Sequence, residues 1–357
     1  MDLSLDQEKA YQAIRNWYRS SDKFFVLAGY AGTGKTTLAK LIAERLGADD
    51  VVFCAYTGKA ANVLREKGCQ NSGTIHSFLY QFIRMENDKP VFRLDPKFGA
   101  AKLVIVDEYS MLSDKIIEHI NNSANRVLYL GDPFQLPPVN NQQTLLKPDL
   151  FMESIQRQAL ESPILRYATK VRQGDLVDYC DEGDFKYVRR NTLTLDEYMN
   201  ADQFICGRND TRKDFNNRAR RYRGFTSALP QRGDKVIITR NNPAAGVFNG
   251  MIDIAAADAN PFHEGSKYQL ALSEVGTLNF LADPARFDFS VHKDLNTLDY
   301  AYAITCHKSQ GSEFDHVIVY NEPIGKDNLE KRRWAYTAAT RAKKTLILTD
   351  ARIRDYA

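Results

Sequence analysis

Residues 29 to 36, Gly29-Tyr30-Ala31-Gly32-Thr33-Gly34-Lys35-Thr36, fit the pattern G-x-x-x-x-G-K-[ST] and run on into Thr37. Glycines at this spacing let the backbone N–H groups of such a loop converge on phosphate oxygens at a helix N-terminus. Lys35 brings a point charge to β and γ phosphates, and the Thr36 hydroxyl is placed to ligate Mg²⁺. Further along, Val106-Asp107-Glu108 closes an apolar run. There Asp107 is placed to hold the metal and Glu108 to polarise an attacking water. A third stretch, Gly131-Asp132-Pro133-Phe134-Gln135-Leu136-Pro137-Pro138-Val139, follows another apolar run. Gln135 is either a sensor of the γ phosphate or part of a Pro-rich turn. Gln7, ahead of an amphipathic helix, has an amide able to read an adenine edge.

These groups need a scaffold that brings several strand ends together, and the apolar pattern supplies one. FFVLA (24–28), VVFCA (51–55), KLVIVD (102–107) and RVLYLGD read as strands, separated by the helical stretches TTLAKLIAERLG, GKAANVLREKG and SDKIIEHINN. Such alternation marks a doubly wound parallel α/β sheet. After residue 200 the rhythm resumes with FICG, the helix DTRKDFNNRARRYRG, KVIIT, AYAIT, HVIVY, the helix LEKRRWAYTAATRA and TLILT. A second sheet is therefore expected. Two stretches break the rhythm: 78–100 reads as a hairpin and 246–300 as a small β-barrel. Residues 173–200 carry no motif. The helix bearing Arg212, Lys213, Arg218, Arg220, Arg221 and Arg223 is either a solvated face or a basic track.

Composition narrows the class without deciding it. The 357 residues carry a net charge of +3, and a pI near 8.4 stays below the value of about 9 that marks an obvious nucleic-acid domain. Cys54, Cys69, Cys180, Cys206 and Cys306 are odd in number and never form a CxxC pair. That excludes a disulfide framework and a zinc site and fits a reducing cytoplasm. No apolar run approaches the roughly 18 residues that cross a bilayer, so no membrane partner or signal peptide is expected.

The strings GYAGTGKTT, AYTGKAA, TIHSFL, VDEYSM, GDPFQLPPV, AITCHKSQGSEFDHVIV and YTAATRAKK, in this order, resemble the superfamily 1B DNA helicases, in particular their RecD-like and Dda-like compact phage-type members. The resemblance runs from Gln7 to about Leu348. It implies two RecA-like P-loop NTPase domains, 1–77 with 101–155 and 156–245 with 301–357. It also implies a β-hairpin insertion at 78–100 and an SH3-like β-barrel insertion at 246–300. The implied activity is 5′–3′ translocation on single-stranded DNA and duplex unwinding, driven by ATP with Mg²⁺. An ATP-gated single-strand-binding or loading factor is the alternative.

By residue type alone, Arg341 is a helix C-terminal charge complementing the macrodipole. The resemblance instead makes it, with Arg157, an arginine that reaches ATP from the second domain. Further resemblance-based expectations concern DNA and nucleotide contacts. Thr57, Gly58, Lys59, Thr74 and His76 would hold the strand on the first domain, and Thr305, His307, Lys308 and Ser309 on the second. Gln310 would face the nucleotide. Asn249 would open the barrel, and Phe82, Phe92 and Phe98 would stack at the fork on a strand-separating pin. Implied partners are single-stranded DNA and its junctions with duplex, and a single-strand-binding, replisome or recombination protein, the enzyme acting as a monomer. Tyr56 and Tyr109 depart from the family pattern, which commonly has proline at the first and valine or alanine at the second.

Overall fold

In the computed structural model, the described residues are 3–45, 51–86, 89–137, 146–153, 161–242, 245–292 and 294–350. The first domain is built on a six-stranded, wholly parallel sheet. Its order is Ser72–Thr74, Val51–Ala55, Leu103–Val106, Val127–Gly131, Phe24–Gly29, Leu150–Met152. Alternate side chains go to opposite faces, and both faces are covered. Leu27, Phe53, Ile105 and Leu128 pack under helices Leu5–Arg19, Lys35–Arg45 and Gly58–Glu66. Val26, Val52, Val104 and Val127 pack with Ile116, Ile117 and Ile120 of helix Asp114–Ser123. This is why the four central strands read as continuous apolar runs. Each fully buried branched side chain contributes about 1.5–3 kcal/mol.

The second sheet also has six strands: Ala303–Thr305, Gln203–Cys206, Phe314–Asn321, Ala342–Asp350, Phe185–Val188, Cys180–Asp181. All pair parallel except the last, which is antiparallel. Helices Pro163–Gln173 and Asn328–Ala339 cover one face and helix Asn209–Tyr222 the other. The motif-free stretch 173–200 thus supplies one edge strand, the strand beside it and helix Leu195–Asn200.

Three expectations change. KVIIT, expected in the second large sheet, forms Lys235–Ile238 and pairs antiparallel with Ile252–Ile254 and Leu298–Tyr300. Val236 and Ile238 face the core of this insertion while Ile237 faces the second domain. A strand buried on both faces gives the same apolar run in either sheet, and here it sits at the seam. The insertion accordingly begins before residue 246; a second antiparallel sheet, Asn260–Phe262, Lys267–Leu272 and Gly276–Leu281, completes it. The C-terminal helix ends at Ala339, so Arg341 lies in the turn before the last strand. Lys343 and Lys344, on that strand, pair with Asp315 at 3.1 and 2.5 Å.

The arginine-rich helix follows neither expected reading in full. Arg212, Asn216 and Arg220, spaced by four, form a buried polar stripe. Arg212 pairs with Asp299 at 2.6 Å, and Arg220 pairs with Asp234 at 3.0 Å while lying 4.1 Å over the ring of Tyr300. The stripe fastens the insertion to the second domain, leaving Lys213, Arg218, Arg221 and Arg223 exposed.

Between 78 and 100 the strands Tyr80–Glu86 and Lys89–Leu94 pair antiparallel. At its base, Tyr80 Oη lies 2.7 Å from His119 Nδ1. Phe98 corrects its expected role. The 3-10 turn Pro96–Ala100 turns it into the first-domain core, 3 % exposed, out of reach of a nucleobase. Tyr109 is fully buried, and a Cβ on Gly131 would come within 2.5 Å of its ring. The unusual tyrosine is accommodated by the missing side chain opposite.

Candidate functional site

The glycine loop joins the strand Phe24–Gly29 to the helix Lys35–Arg45, and Gly32 and Gly34 take φ of 79°, the left-handed region that glycine enters without strain. Lys35 Nζ donates to Gly29 O at 2.7 Å and Tyr30 O at 2.9 Å, folding back over the loop. Burial pushes its ammonium down from the ordinary lysine value, against the pull of Asp132, Asp107 and Glu108. Thr36 Oγ1 donates to Asp107 Oδ2 at 3.0 Å. These two oxygens fit one octahedral edge of Mg²⁺. Among the described residues no group of three or more His, Cys, Asp or Glu is placed to hold a metal ion.

Gln7 is buried beside this loop, and both ends of its amide are engaged. Its carbonyl oxygen accepts from Ser4 N in the capping box of the first helix, and Nε2 lies 3.5 Å from Thr33 O. The amide therefore ties the helix start to the loop.

Glu108 holds φ 59°, a left-handed conformation rare outside glycine. Burial raises its carboxyl above the ordinary glutamate value, with Arg341 opposing. With its amide oriented to satisfy both ends, Gln135 donates to Glu108 Oε2 at 3.1 Å and accepts from Arg341 Nη2 at 3.3 Å. Arg341 is 4 % exposed and is held by its own domain through Thr337 O at 3.0 Å, Thr340 Oγ1 at 3.2 Å and Ser312 O at 3.3 Å. The late arginine and the early glutamate are thus linked through a single glutamine. Arg157 lies outside the described residues.

The loop carrying Gln135 is seated in the second domain. Leu136 belongs to that domain's core. Its N–H donates to Thr337 Oγ1 at 3.0 Å and its carbonyl accepts from Gln310 Nε2 at 2.7 Å. Gln310, expected on the nucleotide side, grips this loop. Sequence reasoning missed Leu136 and also Tyr336, whose hydroxyl accepts from Ala31 N at 2.9 Å and donates to Asp132 Oδ2.

The expected DNA contacts divide. Thr57, Thr74 and Thr305 cap short helices, accepting from Ala60 N, Ser77 N and Lys308 N. His76 is exposed, edge-on to Tyr56 at 5.8 Å. His307 is half-buried, and Lys308 and Asn249 are exposed. Three expected contacts are turned inward. Lys59 is half-buried with Nζ 4.0 Å over the Phe314 ring, and burial brings its pKa down to about 8. A Cβ on Gly58 would come within 2.7 Å of Phe248. Ser309 is fully buried and its hydroxyl donates to Cys306 O, so it cannot present itself to a strand. Phe92 is exposed on the hairpin; the side chain of Phe82 lies outside the described residues. No helix among the described residues is long and apolar enough to cross a membrane.

Residues 3–205 match the AAA domain family model and residues 300–349 that of the UvrD-like helicase C-terminal domain. The chain is 29% identical to the ATP-dependent RecD2 DNA helicase of Deinococcus radiodurans over 90% of its own length and 46% of that protein. It is 27% identical to the ATP-dependent DNA helicase dda of Enterobacteria phage T4 over 48% and 43%. The chain thus spans less than half the length of each. Pif1 helicase from Bacteroides, solved in complex with ADP-AlF3 and ssDNA, shares the fold with a TM-score of 0.60 at 19% identity, covering 98% of this chain and 93% of that one. Since the first model takes in more than half of the sequence, the chain belongs to the AAA domain family.

Proposed function

We propose that the chain is an ATP-dependent DNA helicase that moves 5′ to 3′ on single-stranded DNA and hydrolyses ATP between two RecA-like domains. The observation that carries this reading is the chain Glu108–Gln135–Arg341, which spans the two sheets at the loop expected to hold triphosphate. Lys35 and the loop amides bind the phosphates, and Thr36 and Asp107 hold Mg²⁺, which when bound neutralises charge on the β and γ phosphates. Glu108 accepts a proton from the attacking water, Gln135 aligns it, and Arg341 and Arg157 stabilise charge on the transferring phosphoryl group. Because Leu136 is seated in the second domain, any movement there shifts Gln135 as well.

Single-stranded DNA crosses His76, His307 and Lys308, the hairpin with Phe92 acts as the separating pin, and the SH3-like insertion covers the strand. We place the enzyme in the cytoplasm, acting as a monomer on junctions together with a single-strand-binding, replisome or recombination protein. Duplexes with a 5′ or a 3′ single-stranded tail test the reading. Displacement only from the 5′-tailed substrate, and only with hydrolysable ATP, is the expected result; ATP-dependent binding without displacement overturns it in favour of a loading factor.

Glu108→Gln is expected to bind ATP normally and lose about 10²–10⁴ in turnover, the usual contribution of a positioned base. In the parent enzyme, burial raises the Glu108 pKa, so the base protonates early as pH falls. The acid limb of kcat/KM therefore lies above the ordinary glutamate value. A limb at or below that value removes Glu108 from the role.

A further inference from the structure

The tip of the glycine loop is gripped from the second domain at two consecutive residues. Tyr30 lies face-on to the Arg172 guanidinium, 3.6 Å from carbon to ring centroid. Ala31 N donates to Tyr336 Oη at 2.9 Å. Tyr336 is 2 % exposed, and its ring packs edge-on against Phe134, centroids 5.3 Å apart. Both grips cross between domains and neither is needed to build a sheet. Tyr336 also neighbours Thr337, which holds Leu136, and lies on the helix leading to Arg341.

Backbone N–H groups in such a loop are the donors that meet phosphate oxygens, and each makes one strong hydrogen bond at a time. The Tyr336 hydroxyl oxygen sits where such an acceptor belongs. Its own proton goes to Asp132 Oδ2, so the hydroxyl stays partnered if Ala31 turns to another acceptor. The exchange leaves no buried orphan on either side.

We propose that Tyr336 is a positioning residue that competes with nucleotide phosphate for the Ala31 amide, so that phosphate occupancy is passed to the helix presenting Arg341, with Arg172 as the second clamp on the loop tip. This rests on ATP binding at the glycine loop. Equilibrium titration with a non-hydrolysable ATP analogue and with ADP, alongside steady-state ATPase with single-stranded DNA, tests it in Tyr336→Phe. That change keeps the ring and removes the competing oxygen. One neutral hydrogen bond fewer to displace lowers Kd and KM for nucleotide by roughly three- to tenfold. The maximal DNA-stimulated kcat falls at the same time, because Arg341 loses its link to the phosphates.

A merely structural tyrosine gives the opposite pattern, with weaker nucleotide binding and unaltered coupling, and that result overturns the proposal, as does an unchanged Kd. Should Tyr336→Phe fail to fold, Arg172→Ala carries the test. It leaves Asp132 untouched and is expected to speed nucleotide association by roughly two- to fivefold, the scale of one half-buried cation–π contact; an unaltered rate overturns the clamp. Parent protein that binds no nucleotide at all removes the ATP reading itself. Parent protein that binds nucleotide, beside variants that behave identically to it, removes only this inference.

Discussion

Arg341→Ala lowers single-stranded-DNA-stimulated ATP turnover by about 10³-fold or more, the range typical of a guanidinium that meets a transferring phosphoryl group. The geometry explains why the loss is so large. Arg341 is fastened by Thr337 O, Thr340 Oγ1 and Ser312 O, so its charge is aimed before the substrate arrives and costs no reorganisation during the reaction. The same guanidinium is the larger of the two charges, with Lys35, that lower the Glu108 pKa against burial. Its removal therefore moves the acid limb of the pH profile further up while depressing the plateau, a paired signature that loss of positioning alone does not give. Arg341→Lys does not restore the rate, because an ammonium cannot reach Gln135 and the carbonyl cage together. Single-turnover hydrolysis across pH reads both effects, with nucleotide Kd as the control. Turnover within tenfold of the parent, or an unmoved limb, removes Arg341 from the reaction.

What the sequence discloses follows the range of the interaction. The glycine loop, Asp107 and Glu108 are legible because each is fixed by its own strand end and the following turn, within a few residues. The four central strands of the first sheet are legible for the same reason, since both faces are buried and each reads apolar; the edge strands Ser72–Thr74 and Leu150–Met152 are too short and, in the first case, too polar to leave that signal. Tyr336 is not legible. Its partner Ala31 is 305 positions away, and nothing in YTAATRA says that the tyrosine turns toward the other domain. Leu136 was hidden likewise, as one apolar residue in a turn, although the flanking Pro137 stiffens the loop that inserts it. KVIIT went to the wrong sheet because its two faces meet two different cores. Phe98 misled through its type, an aromatic near a hairpin, when the turn around it decides its direction. Arg212, Asn216 and Arg220 did leave a signal, a spacing of four that puts three polar side chains on one helical face. Charge counting obscured it. The inward turn of Lys59 reflects its place where the two domains meet, with its ammonium over Phe314, which no local pattern records.

Lys35→Ala is expected to abolish ATP hydrolysis, and the charges around it set the scale. Asp107, Glu108 and Asp132 all act on the Lys35 ammonium, which is the cation nearest the loop floor. Without it a triphosphate would enter among three carboxylates with only the loop amides to receive it. One unit-charge contact at about 4 Å is worth about 4 kcal/mol at an effective dielectric near 20, close to a factor of 10³ in affinity. The lysine also bonds Gly29 O and Tyr30 O, so its removal frees the carbonyls it turns inward and loosens the amides on the opposite side of the loop. Binding and turnover therefore fail together, unlike Glu108→Gln, where binding survives. Lys35 takes no part in the apolar cores, so the fold should persist, with a lowered melting temperature because Asp107, Glu108 and Asp132 lose their cation. A fluorescent-nucleotide titration, an ATPase assay and a melting curve separate these effects. Hydrolysis above a hundredth of the parent rate in Lys35→Ala would mean that the phosphates are held elsewhere, and the roles given to Gln135 and Arg341 would lose the substrate they are built around.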